Sequence, residues 1–236
     1  MSEPKNLAPN LWIFDQPEFS TGFAKIGTRM TAIKLAGGGL FLHSPIKLDD
    51  ETRRALDTLG EVAAVVAPSR AHHLFVTDYT KAWPAAKLYG PPGLVGEIAD
   101  FRARLGARRD LKLDAVLGDE PQPEWAGEID QHLFKGAPQL NEVVFFHRAS
   151  RSAIFTDLVF NVPANFKQAR IFYTVVGARG RFGPHRLVRQ TIRDHKAARE
   201  SVAKVLEWDF DRVIVTHGDV LESGGKAKFA AAFSYL

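Results

Sequence analysis

Apolar and polar positions along this 236-residue chain fall into short runs of two different periods. Leu11 to Phe14 and Met30 to Leu35 are rich in β-branched and aromatic residues and bounded by turn formers, which predicts strands. Gly37, Gly38 and Gly39 follow, and the apolar run resumes at Leu40 to His43. Glycines reach positive φ without steric cost, so this segment reads as a hairpin. Asp49 or Asp50 can cap a helix that carries Leu56 and Leu59 and stops at Gly60. Val62 to Ala67 does not alternate, the mark of a strand buried on both faces.

Further on, His73 to Trp83 has helical character up to Pro84, and Lys87 to Tyr89 makes a brief strand before Pro91. Leu94, Val95, Ile98, Phe101 and Leu105 recur at helical spacing, which predicts an amphipathic helix over 94–105. Residues 106–127, with Pro121, Pro123 and Trp125, read as a loop with room for one strand or one turn of helix. Strands return at Ile129 to Phe134, Val143 to His147 and Ser152 to Thr156, then helices at Phe166 to Val175 and Arg186 to Leu206. A strand at Val213 to Thr216 and a helix from about Lys226 to Tyr235 complete the pattern. The order is two β-then-α halves without a linker, expected to pack as one domain over 1–236 with sheets inside and helices outside.

Composition narrows this picture only a little. The chain is 45% hydrophobic and 25% charged, ordinary for a globular protein, and long enough for a sizeable core. It has no cysteine, which confines any metal site to nitrogen and oxygen donors. No signal peptide or membrane-length apolar run is present, so a cytoplasmic location is expected. The formal charge of +4 raises nucleic acid as a partner, but basic residues are scattered among 27 acids. Clusters such as Arg102, Arg104, Arg108 and Arg109 stand beside no recognisable motif, so neither nucleic acid nor membrane is expected as a partner.

The candidate chemistry lies at strand ends. The run from Val62 ends at Pro68 and delivers Ser69, Arg70, Ala71, His72 and His73; the run from Ser152 closes on Thr156 and Asp157; the run from Val213 closes on Thr216 and His217. Three apolar strands that each stop at a potential ligand suggest a shared site, because imidazoles and a carboxylate suit Zn²⁺, Fe or Mn²⁺. His132, His147, His185 and His195 read as structural histidines, and His43 is ambiguous. Asp219 could orient a ligating imidazole as an acceptor, and so could Asp78 or Tyr79. Glu142 is open to three readings, an extra ligand, a general base or a solvated charge, with the solvated charge favoured. Arg179 to Pro184 reads as a solvated turn.

Taken together, these segments resemble the metallo-β-lactamase superfamily, and more closely one of its uncharacterised branches. The resemblance runs from the glycine hairpin at 37–39 through 62–73 and Thr156-Asp157 to Thr216-His217-Gly218. It implies a four-layer αββα sandwich with the site on one edge of the paired sheets. The superfamily motif T-H-x-H-x-D-H falls on Ala67 to His73, where Pro68 and Arg70 stand in place of its first two histidines. Its aspartate falls on His72, its last histidine on His73, and a third-motif histidine falls near Pro138; Asp157 and His217 match the bridging aspartate and final histidine. The resemblance thus implies loss of the first metal site and retention of a second, made of His72, His73, Asp157 and His217.

Two functions follow as expectations. One is a metal-dependent hydrolase with a single divalent ion, zinc first and iron or manganese also compatible, in which Asp157 or Glu142 accepts a proton from water. Arg70 would then lie near Asp157 and stand in for the missing charge. The other is an inactive scaffold of the same fold that binds an anionic small ligand through Arg70.

Overall fold

The structure is a computed structural model that describes residues 3–22, 24–95 and 111–236. Its larger sheet has seven strands in chain order: β1 (Lys5–Ala8), β2 (Leu11–Gln16), β3 (Thr28–Lys34), β4 (Leu40–His43), β5 (Val62–Val66), β6 (Lys87–Gly90) and β7 (Ala115–Val116). Strands β1 to β4 are antiparallel; β4, β5, β6 and β7 are parallel. The switch follows from the connections. A glycine turn can reverse the chain after β3, whereas α1 (Asp50–Leu59) and α2 (Val76–Ala82) carry it back over one face between parallel strands. Asp49 caps α1 by accepting from Thr52 N at 2.8 Å.

The second sheet contains β8 (Ile129–Leu133), β9 (Val143–His147), β10 (Ser152–Phe155) and β13 (Arg212–Val215), in the order β13-β10-β9-β8. Only the β10–β13 pair is parallel, reached through α3 (Arg170–Val175), α4 (Arg186–Thr191) and α5 (His195–Glu207); α6 (Gly225–Ala232) follows β13. A two-stranded ribbon of β11 (Phe160–Val162) and β12 (Arg181–Gly183) lies beside it.

Three apolar clusters show how the layers stack. Ile13, Ile33, Phe41, Ala64 and Val66 from the first sheet meet Ile129, Val143, Phe145, Ile154 and Ile214 from the second, with Trp125 closing the seam. The outer face of the first sheet, with Met30, Leu42, Val62, Val65 and Leu88, packs on Leu56, Val76 and Tyr79 of α1 and α2. The outer face of the second, with Val144, Phe146, Phe155 and Val215, packs on Tyr173, Val188, Val202, Val205 and Phe229. The result is a four-layer αββα sandwich, in agreement with the expectation from sequence.

Differences from the sequence reading are local. The single helix expected over 186–206 is broken into α4 and α5, because Asp194 turns its carboxylate back to accept from Ala197 N at 3.0 Å and starts a new helix. The stretch 179–184, expected as a solvated turn, contains β12. Within 111–127 the loop carries the one strand that reading allowed, β7, but Trp125 within it is fully buried. The helix expected over 94–105 lies outside the described residues from 96 onward, as do Arg102, Arg104, Arg108 and Arg109. Among the described residues, no helix is long and apolar enough to cross a membrane.

Candidate metal centre

His72, Asp157 and His217 come together where β5, β10 and β13 end. Their ligand atoms all lie within 4.8 Å of one another, the group of three or more such donors found among the described residues. His72 Nε2 is 3.4 Å from Asp157 Oδ2, and His217 Nε2 is 3.5 Å from Asp157 Oδ1. The two rings stand 5.3 Å apart.

Each donor is positioned by its local chain. Pro68 ends β5, and its carbonyl accepts from Val143 N at 2.8 Å, which ties the following bend to the start of β9. Within that bend His72 N donates to Ser69 O, and His72 Nδ1 meets Ser44 Oγ at 2.9 Å. Asp157 sits in the turn after β10, whose amides at Thr156, Asp157 and Leu158 all donate to the Glu142 carboxylate at 2.7–2.9 Å. His217 follows β13, stacks on Phe160 at 5.3 Å and 14°, and directs Nδ1 to Gly27 O at 2.8 Å. Gly218 then takes φ +100°, and a Cβ there would stand 2.1 Å from Asn161 O, so the residue after His217 has to be glycine.

The hydrogen bond to Gly27 fixes the chemistry of His217. A carbonyl only accepts, so Nδ1 carries the proton and, in the neutral ring, Nε2 presents a lone pair to Asp157. Lone pair and carboxylate 3.5 Å apart repel unless a proton or a cation lies between them. A second ring nitrogen bonded to a backbone carbonyl is also the usual support of a metal-bound histidine. Two imidazoles and one carboxylate therefore fit a divalent ion, and three protein donors leave coordination positions open. Burial disfavours ionisation of Asp157, but without an ion the charges and hydrogen bonds that His72 and His217 supply when protonated outweigh it and hold the carboxyl well below the usual carboxylate range.

Other residues singled out in the sequence stand elsewhere. His73 is not in the donor group; its Nδ1 is engaged by Arg70 O at 3.0 Å, a bond local to the bend. Arg70 extends towards Gly93, where a Cβ would lie 3.0 Å from its Nη2, and the ion-pair partners of Asp157 among the described residues are His72 and His217. The expected Arg70–Asp157 contact is thus not formed. Asp219 is exposed, and the acceptor at His217 Nδ1 is Gly27 instead. Glu142 is not a solvated charge but fully buried, and burial together with the charge of Asp157 pushes its carboxyl up to about 7 against the three amide donors. Tyr79 belongs to the core under α2.

Sequence reasoning missed the supports. Arg29 Nη1 donates to Val215 O at 2.8 Å and Gly218 O at 2.9 Å, and its Nε pairs with Asp15 at 2.7 Å. Ser44 holds φ +56° at the end of β4, where the following Pro45 was the one visible signal of an unusual turn. His43 and His185 are buried near the donors, and burial lowers their pKa values to about 3 and about 4.

A cavity of about 370 Å³ opens onto the donors. His72, Asp157 and His217 line it together with Phe19, Ser20, Thr21, Ile26, Thr28, Pro45, Ala71, Leu74 and Phe75.

The fold is that of the metallo-β-lactamases. A metallo-β-lactamase from Erythrobacter litoralis is 12% identical with a TM-score of 0.66, covering 100% of this chain and 98% of its own. One from Hirschia baltica is 14% identical with a TM-score of 0.63, covering 98% and 97%. The enzyme FIM-1 from Pseudomonas aeruginosa, solved in its mono-zinc form, is 10% identical with a TM-score of 0.63, covering 98% and 94%. Within this fold the chain belongs to the family described as a domain of unknown function, DUF4336, whose model matches residues 8–179. No curated protein matches the sequence.

Proposed function

We propose that this protein is a metal-dependent hydrolase with one divalent ion, zinc in the first place, held by His72, Asp157 and His217. The observation that carries the reading is the His217 side chain: with Nδ1 committed to Gly27 O, its Nε2 lone pair and the Asp157 carboxylate face a common point that His72 Nε2 also faces. The mono-zinc form of a protein with the same fold supports a single ion as sufficient for such a scaffold. A bound ion of this kind supplies Lewis acidity, which polarises a carbonyl or phosphoryl group and makes water more acidic.

The chain's own residues do the rest. Asp157 is the carboxylate that lines the cavity, and it is the group placed to accept a proton from water there. Glu142 has both oxygens engaged by backbone amides and does not line the cavity, so it holds Asp157 in place instead of handling protons. Arg70 likewise does not line the cavity, which weakens the alternative of a scaffold that binds an anion through that residue.

Elemental analysis of protein purified without added metal, followed by zinc titration, tests the reading. About one equivalent per chain is expected in the native protein and much less in His217→Ala, with both proteins folded by circular dichroism. A folded native protein that takes up no Zn²⁺, Fe²⁺ or Mn²⁺ would overturn it.

A further inference from the structure

The cavity's walls say what kind of molecule enters it. Phe19, Ile26, Pro45, Ala71, Leu74 and Phe75 supply apolar surface, and the remaining wall groups, Ser20, Thr21 and Thr28, are neutral hydroxyls. Among the described residues, neither lysine nor arginine lines it, and its one carboxylate is Asp157 at the base. An anionic or strongly polar ligand would lose its hydration there without a counter-group to replace it, whereas an apolar one gains from burial. The walls are also fixed in place. Phe19 meets Phe75 edge-on at 6.1 Å in the cavity wall, and the buried Tyr173 hydroxyl donates to Ile26 O at 2.8 Å, anchoring Ile26 to α3. Cavities of this size and lining are typical of small-molecule sites with a few orienting polar groups.

We propose that the substrate is an uncharged, predominantly apolar ester or amide, its acyl chain lying against Phe19, Ile26, Leu74 and Phe75 and its carbonyl facing His72, Asp157 and His217. This rests on the hydrolase reading. Hydrolysis breaks the bond between the acyl carbon and the leaving oxygen or nitrogen; the hydroxyl of water goes to the acyl carbon and its proton to the leaving atom.

Two measurements test the proposal. In the zinc-loaded protein, binding of straight-chain hydroxamic acids from two to eight carbons is followed by calorimetry, beside an eight-carbon hydroxamate ending in a carboxylate. Affinity should rise by about fourfold for each methylene buried. The carboxylate-ended compound should bind at least tenfold more weakly than its neutral counterpart, and Leu74→Lys, at a half-exposed rim position, should narrow that gap. In metal-free protein, octanamide should displace the neutral dye Nile red and acetamide should not, a result that depends on the walls alone. Affinities independent of chain length, or a preference for the carboxylate-ended compound in the native protein, would overturn the proposal. Displacement by octanamide in a protein that binds no metal would uphold the apolar site and reject the hydrolase reading.

Discussion

Arg29 donates to the carbonyl of Gly218 across 2.9 Å, and the same Nη1 reaches Val215 at 2.8 Å, so one guanidinium from the first half clasps the backbone on both sides of His217. Gly27, two residues before Arg29, accepts from the His217 ring itself. Position and ring orientation of this donor are thus set from Gly27 and the start of β3, far away in sequence.

Removing that clasp should be costly. Arg29 is nearly buried, and each charge-assisted hydrogen bond contributes about 1.5–3 kcal/mol. Arg29→Met should lower unfolding stability by about 3 kcal/mol and weaken zinc binding at least tenfold. Arg29→Lys, with one point charge in place of a fork, should fall between. Denaturant melts and zinc titration with a chromophoric chelator check both.

Ser44 supports His72 as Gly27 supports His217. Ser44→Ala should leave the fold intact, lowering stability by about 1 kcal/mol, and reduce zinc affinity roughly 10- to 100-fold, the usual effect of losing a partner to a metal-bound histidine. An unchanged zinc affinity would show that the hydroxyl does not orient the ring.

Glu142 accepts from three amides with two oxygens, and glutamine can offer only one. Glu142→Gln should therefore destabilise by about 2–4 kcal/mol above pH 7, where the native carboxyl is ionised, and leave the Asp157 turn looser, with weaker zinc binding. Calorimetric zinc titration beside thermal melts separates the two effects.

The buried histidines give stability a pH dependence. The folded-state pKa of His43 is lowered to about 3 by burial and by the charge of His72, and that of His185 to about 4 by burial, both below the ordinary value of 6.5. Each therefore contributes stability that is present above about pH 6.5 and lost as pH falls towards the folded value, at up to about 1.4 kcal/mol per pH unit. Glu142 acts with the opposite sign, gaining stability as pH falls from about 7 towards 4.5. The difference between native protein and His43→Phe isolates one histidine. His43 Nε2 is buried with no hydrogen-bond partner and the ring stands edge-on to Phe145, so the replacement strands no buried polar group. Urea melts at pH 7 and pH 5 should show His43→Phe losing less stability on acidification than the native protein does.

Strand runs and strand ends were the legible part of this sequence. Val62 to Val66, Ser152 to Phe155 and Arg212 to Val215 are apolar and bounded, and the polar residue just past each is the natural place for a donor. The order of two β-then-α halves likewise pointed to the sandwich. The supports were not legible for a physical reason: the partners of His217 and Arg29 are backbone carbonyls, at Gly27, Val215 and Gly218, and a carbonyl has no residue code. Glu142 was misread because a carboxylate before a strand is ordinarily solvated; only the fold brings three free amides to it. His72 and His73 were equivalent on paper, and the bend after Pro68 directs only the first towards Asp157.

His72 comes from the first sheet, Asp157 and His217 from the second, and the grip on His217 comes from the first again. An ion held among them would lock the two halves like a rivet through overlapping plates. It could not be captured by either plate alone, so metal uptake during refolding would mark the moment the sandwich closes, and stripping the ion would loosen the seam before it disturbed either sheet.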